Sequence, residues 1–249
     1  MSRDTILNDM LTGIKPPPSD DVKNSLRTAM KAFGDKQLQR MDNAGVRFWP
    51  FVEGAPPEYR LTGVPDLKAP AEYKKEFRAV RITPASLAKS AITDFLRHEL
   101  AHAWDDVRNE SNPPNLRTLK GDALDNELAR LAGDKEPFAS QSLKKLDPGK
   151  LSMQEMFDIY NKALPDKDWS FAHDSTAPRH AAANPMEFYA EGYSVFHGFC
   201  DTCKARLLRF ATELYDYLEQ EAKGNGLPTP DRKQLKKVFD TTYPAAKNY

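Results

Sequence analysis

Eleven residues, Leu96-Arg97-His98-Glu99-Leu100-Ala101-His102-Ala103-Trp104-Asp105-Asp106, constrain this chain more than any other stretch, because they set His98-Glu99-x-x-His102 into a helical pattern. Ile92, Leu96, Leu100, Ala103 and Val107 recur at spacings of four, four, three and four. That period packs one side of a helix into a core and leaves the histidine pair beside the apolar stripe. Two histidines at i and i+4 project from one face, one turn apart, so their ring nitrogens can converge on a single zinc ion. Glu99 then points toward the ion's open side, where a carboxylate can take a proton from water and pass it to a leaving amine. The plainer reading is a solvated face that carries His, Glu and His.

Catalytic zinc uses three protein ligands and one open position, so a third ligand is required. The best candidate stretch is Asn184-Pro185-Met186-Glu187-Phe188-Tyr189-Ala190-Glu191-Gly192-Tyr193. Asn184 suits an N-cap, Pro185 the first turn and Glu187 the third helical position. Glu187 and Glu191 then share a face. Two roles compete for Glu187, metal ligand and partner in a capping box. Glu191, one turn on, suits an acceptor for the other N–H of a ligand histidine.

These residues resemble the anthrax lethal factor-like zinc metallopeptidases, a branch of the gluzincins. The family's active helix carries the His-Glu-x-x-His motif followed by Ala, a variable residue and two aspartates, matched by His98 to Asp106. Its second helix carries a ligand glutamate in a Glu-Phe-aromatic-Ala-Glu run, matched by Glu187 to Glu191. The resemblance implies Glu187 as third ligand and Glu191 in the outer shell. It spans roughly residues 76–215 and is specific in these two motifs. The interval from His102 to Glu187 is longer than the family's, which implies an insertion. Seven residues before its ligand glutamate the family has a tyrosine that steadies the oxyanion of the tetrahedral intermediate. Here His180 stands in that place, and an imidazole can donate the same hydrogen bond. His173 competes for that role, and a structural His180 is the alternative. Gluzincins also pair an extended peptide with an edge strand beside the active helix. The strand around residues 78–82, with Val80 and Arg81, is the candidate for substrate binding; a buried strand with solvated Arg78 and Arg81 is the alternative.

Lysine plus arginine and aspartate plus glutamate balance at 36 each, so no overall field steers the chain to nucleic acid or an anionic membrane. No apolar run approaches the roughly 18 residues of a membrane span. The opening residues MSRDTILNDMLTG carry charges where a cleaved signal needs an apolar centre. The expected setting is therefore cytoplasmic, or secretion by a specialised system into a target cell with a delivery partner. Cys200 and Cys203 form one CxxC, without a second such pair, and read as two reduced thiols in or beside a helix.

In order, the chain opens with an amphipathic segment capped by Ser2 and ended near Gly13, then a proline spacer, Lys15 to Ser19. Residues 20–44 read as one or two helices with Val22, Leu26, Met30 and Phe33 on a face, broken near Gly34. Residues 1–45 form an N-terminal helical segment for docking, translocation or packing, ahead of a domain over 46–249. Val46 to Phe51 alternates like a strand, with Pro50 arguing for an edge, and the proline-rich Gly54 to Pro70 reads as loop. Phe77 to Ile82 reads as a second strand, and Thr83-Pro84 opens a helix running to Val107. Helices are expected at 121–132, 138–146 and 152–163, then irregular chain over 164–183, which is placed to line a pocket. A long helix from about Cys203 to Ala222 and a last one at 231–240 complete the order.

Asp106 lies four residues after His102 and suits orienting its ring or anchoring the helix, a role Asp105 shares. Together these readings predict a predominantly helical α+β fold, a zincin-like domain with a small sheet beside the active helix. They predict a zinc-dependent endopeptidase acting on a protein or peptide substrate, in a bacterial toxin or effector. The alternatives are an intracellular regulatory or housekeeping metallopeptidase and a silent peptide-binding module. The intact His98, Glu99 and His102 argue against silence.

Overall fold

Polar caps start the first helices where the sequence places them. Ser2 accepts from the Thr5 amide at the head of α1 (Arg3–Met10), and Ser19 from the Val22 amide at the head of α2 (Asp20–Met30). Gly34 ends the pattern and starts α3 (Asp35–Asn43), where its N–H donates to Gln37 Oε1 at 2.8 Å. A computed structural model of the chain describes residues 1–12, 17–50, 71–82, 92–108, 110, 113–133, 181, 185–198 and 200–244. The helices expected at 138–146 and 152–163, the loop Gly54 to Pro70 and the opening turns expected from Pro84 lie outside the described residues. The chain divides into two compact units, residues 1–137 and 138–249.

In the first unit, α1–α3 are followed by β1 (Arg47–Pro50), β2 (Ala71–Lys74), a single 3₁₀ turn (Lys75–Phe77), β3 (Ala79–Ile82), α4 (Ile92–Arg108) and α5 (Asp122–Gly133). The three strands form one sheet in the order β1-β3-β2. β1 runs parallel to β3 with Phe48 opposite Val80, and β2 runs antiparallel to it with Tyr73 opposite Val80. Among the described residues β1 is thus at an edge, as Pro50 suggested.

α4 carries the histidine pair, and its whole expected stripe is buried: Ile92, Leu96, Leu100, Ala103 and Val107. It packs against α2, α3, β2 and β3, so the helical layer and the sheet hold it from two sides. Its C-terminal carbonyls have a dedicated partner in α3. Arg40 donates from Nε to Val107 O at 3.1 Å and from Nη2 to Arg108 O at 3.3 Å, and also to Glu110 O. A cation there satisfies orphan carbonyls and opposes the negative end of the helix.

The second unit contains α6 (Pro185–Phe196), α7 (Asp201–Phe210), α8 (Thr212–Gly224) and α9 (Arg232–Thr242). The single long helix expected from Cys203 to Ala222 is in fact two. Ala211, at φ −135° and ψ 55°, leaves helical conformation between them. α6 packs on both α7 and α8, and these also pack on each other, which one straight rod does not allow. No glycine or proline marks the break, because tertiary packing sets it. The cysteines also differ from expectation: Cys200 and Cys203 form a disulfide with their Cα atoms 5.2 Å apart. Cys200 is the N-cap of α7 and Cys203 lies in its first turn, a spacing that brings both sulfurs to one side.

Among the described residues the fold is predominantly helical with one small sheet. No helix among them is long and apolar enough to cross a membrane.

Candidate metal centre

The i, i+4 spacing on α4 brings the two imidazoles edge to face, with ring centroids 4.7 Å apart. Their Nε2 atoms approach to 3.1 Å. Ligand atoms on a tetrahedral zinc, each about 2.1 Å from the ion, stand roughly 3.4 Å from one another, so the pair is spaced for a shared metal. Glu187 is the third residue of α6, which begins at Pro185 as expected. The ligand atoms of His98, His102 and Glu187 all lie within 4.8 Å of one another. Two nitrogens and one carboxylate oxygen, with His98 buried and the other two half-buried, make a donor set of the kind that could hold zinc.

Glu99, half-buried, follows His98 on the same helix. Its Oε2 accepts a hydrogen bond from the backbone N–H of Tyr73 at 2.6 Å. Tyr73 reaches α4 a second time, its hydroxyl donating to Asp106 Oδ2 at 2.7 Å. Asp106 therefore anchors the helix to β2, one of the two roles its position suggested. Burial pushes its carboxyl up to about 6, although the Tyr73 hydrogen bond and the nearby Lys75 and Arg78 pull the other way. Burial, then the Asp106 charge, holds the Tyr73 phenol well above its ordinary range, so it stays a donor. Asp105 pairs with Arg108 along the same helix.

Behind this pair stands Arg78, fully buried at the bend between the 3₁₀ turn and β3. Its Nη1 donates to Ala44 O at 3.0 Å and Pro114 O at 2.8 Å, and its Nη2 to Glu110 Oε2 at 2.6 Å. Its Nε lies 4.0 Å from Asp106 Oδ2.

Two expectations need correction. Residues 78–82 do not form an exposed edge for a peptide, because β3 is the middle strand, paired with β1 on one side and β2 on the other. Val80 is buried between Phe48 and Tyr73, and Arg81 is buried and 3.7 Å from Glu72 rather than solvated. Among the described residues the edge nearer the motif is β2, the strand whose Tyr73 amide meets Glu99. Glu191 lies half-buried one turn beyond Glu187 on α6. His180 and its competitor His173 lie outside the described residues.

Sequence reasoning missed Tyr73 and the buried role of Arg78. β2 is only four residues long and directly follows a proline-rich stretch, so its alternation is too short to register; Arg78 looks like any strand arginine. No protein-family model, curated protein or solved structure matches the chain.

Proposed function

We propose that the chain is a zinc-dependent endopeptidase with a zincin-like active helix, similar to the lethal factor-like gluzincins. One observation carries the reading: three residues picked from two separate motifs bring their ligand atoms within 4.8 Å of one another. Chance helix decoration gives no reason for a glutamate 85 residues away to join the histidine pair.

In this reading His98, His102 and Glu187 hold the metal. Bound zinc supplies Lewis acidity, polarising the scissile carbonyl and acidifying water in its open position. Glu99 takes the proton of the attacking water and returns it to the departing amine. The outer side of β2, which has no strand partner among the described residues, lines up an extended peptide, main chain to main chain, in the place first assigned to β3. The toxin or effector setting rests on the resemblance.

The test is metal content by elemental analysis of wild type and Glu187→Ala, purified without added metal. About one zinc per wild-type chain, with marked loss in the variant, supports the ligand set. Peptide-library cleavage by wild type, abolished in Glu99→Ala at unchanged zinc content, supports the chemistry. Zinc retained in full by Glu187→Ala removes Glu187 from the centre.

A further inference from the structure

The Glu99 carboxylate, which the peptidase reading needs as its base, is held by a main-chain amide of a sheet edge. In an antiparallel pair, residues alternate between exchanging both hydrogen bonds with the opposite residue and turning N–H and C=O away from it. Tyr73 faces Val80 across the β2–β3 pair, and its N–H goes to Glu99. It therefore belongs to the outward set, on the side of β2 that has no strand partner among the described residues. That side is the one on which an extended chain adds to a sheet, with its carbonyls accepting from the outward amides. The Glu99 oxygen occupies the place such a carbonyl oxygen would take.

The strand cannot drift to serve both acceptors independently, because the Tyr73 hydroxyl is tied to Asp106, on the same face of α4 as Glu99 and two turns beyond it. Asp106 is itself buried, with Arg78 behind it. The edge amide thus stays at one position while its acceptor changes.

Resting on the peptidase reading, we propose that Tyr73 couples peptide capture to catalysis: its N–H holds Glu99 while the β2 edge is empty and passes to a peptide carbonyl when an extended chain pairs there, freeing Glu99 to meet the attacking water. Tyr73 is a positioning residue in this scheme. Ligands that reach the metal without pairing along β2 leave Glu99 held and turn over slowly, so the site favours extended peptides over short or folded ones.

The test follows the Tyr73 amide directly, by NMR hydrogen exchange on the full-length, zinc-loaded protein. Glu99→Ala removes the acceptor and should speed exchange at Tyr73 at least tenfold while Val80 in the middle strand is unchanged. Glu99→Gln keeps an acceptor oxygen, so it should retain protection while the Tyr73 amide proton moves upfield as the charge leaves. Adding an extended peptidyl hydroxamate to Glu99→Ala should restore the lost protection, and acetohydroxamate, which has no strand to pair, should not. An unmoved Tyr73 amide in Glu99→Ala, or equal protection by both hydroxamates, overturns the coupling and leaves the peptidase standing if zinc is bound. A protein that takes up no zinc overturns both.

Discussion

Arg78 has φ 45° and ψ 44°, a left-handed conformation that disfavours any side chain, and yet its guanidinium is fully buried. Glycine would relieve the backbone by about 1 kcal/mol. It would also take a donor from the carbonyls of Ala44 and Pro114 and one of two arginine partners from half-buried Glu110, which keeps Arg130, and each polar group left short of a partner costs about 1–3 kcal/mol. The second effect is larger, so Arg78→Gly should be destabilised by about 3 kcal/mol in urea unfolding. A gain in stability would mean the guanidinium contributes little. Asp106 gives a pH signature of the opposite kind to an ordinary surface acid. Its folded pKa of about 6 lies above the ordinary unfolded value, so the folded protein binds this proton more tightly. Its contribution therefore declines as pH rises from about 4 to about 6 and is flat above that. Asp106→Asn keeps an acceptor for Tyr73 and removes the ionisation. Relative to wild type it should gain stability across that window, by at most about 3 kcal/mol at pH 8. Unfolding curves at pH 4 and pH 8 decide it; a constant difference would refute a raised pKa.

At the scale of elements, what was legible is what is local. Ser2 and Pro185 mark helix starts and Gly34 a break through their own backbone and side-chain chemistry, and the structure has a start or break at each. The break at Ala211 and the middle position of β3 were not legible, because both are decided by partners distant in sequence. The α6–α8 packing offers a check on how tightly such partners fit. A Cβ on Gly192 would stand 2.5 Å from Leu214 Cδ2, so Gly192→Ala should overpack this contact, offset in part by alanine's better helix propensity. A net loss of about 1–2 kcal/mol in thermal unfolding is expected. The disulfide is a milder device. It closes a loop of only four residues, and a loop that short restricts the unfolded chain by about 2 kcal/mol. Cys200→Ser with Cys203→Ser should lose about that much and remain folded.

For the molecule as a whole, the balanced charge and the predominantly helical α+β character could be read from the chain, and the strand order and the Tyr73 contact could not. The residues of the candidate triad were visible because a metal site would need fixed residue types at fixed spacing. Their support was hidden because a backbone amide has no letter. If the triad binds zinc in the folded protein alone, stability should follow mass action, with about 2.7 kcal/mol gained at free zinc one hundred times its Kd. Adding a chelator should lower the Tm of wild type and leave Glu187→Ala nearly unmoved. Equal shifts in both would place the metal elsewhere.

The bend that joins β2 to β3 has a consequence for how this chain can change in length. Residues 75–78 link the two strands, and Arg78 bolts the link to three separate parts of the first unit. Amides on β2 face alternate sides, so a single inserted or deleted residue that slipped the pairing by one would turn the Tyr73 amide inward and present a neighbour's instead. At this bend a one-codon indel acts like a frame error written in geometry, and length variation among any descendants of this chain should collect in other loops.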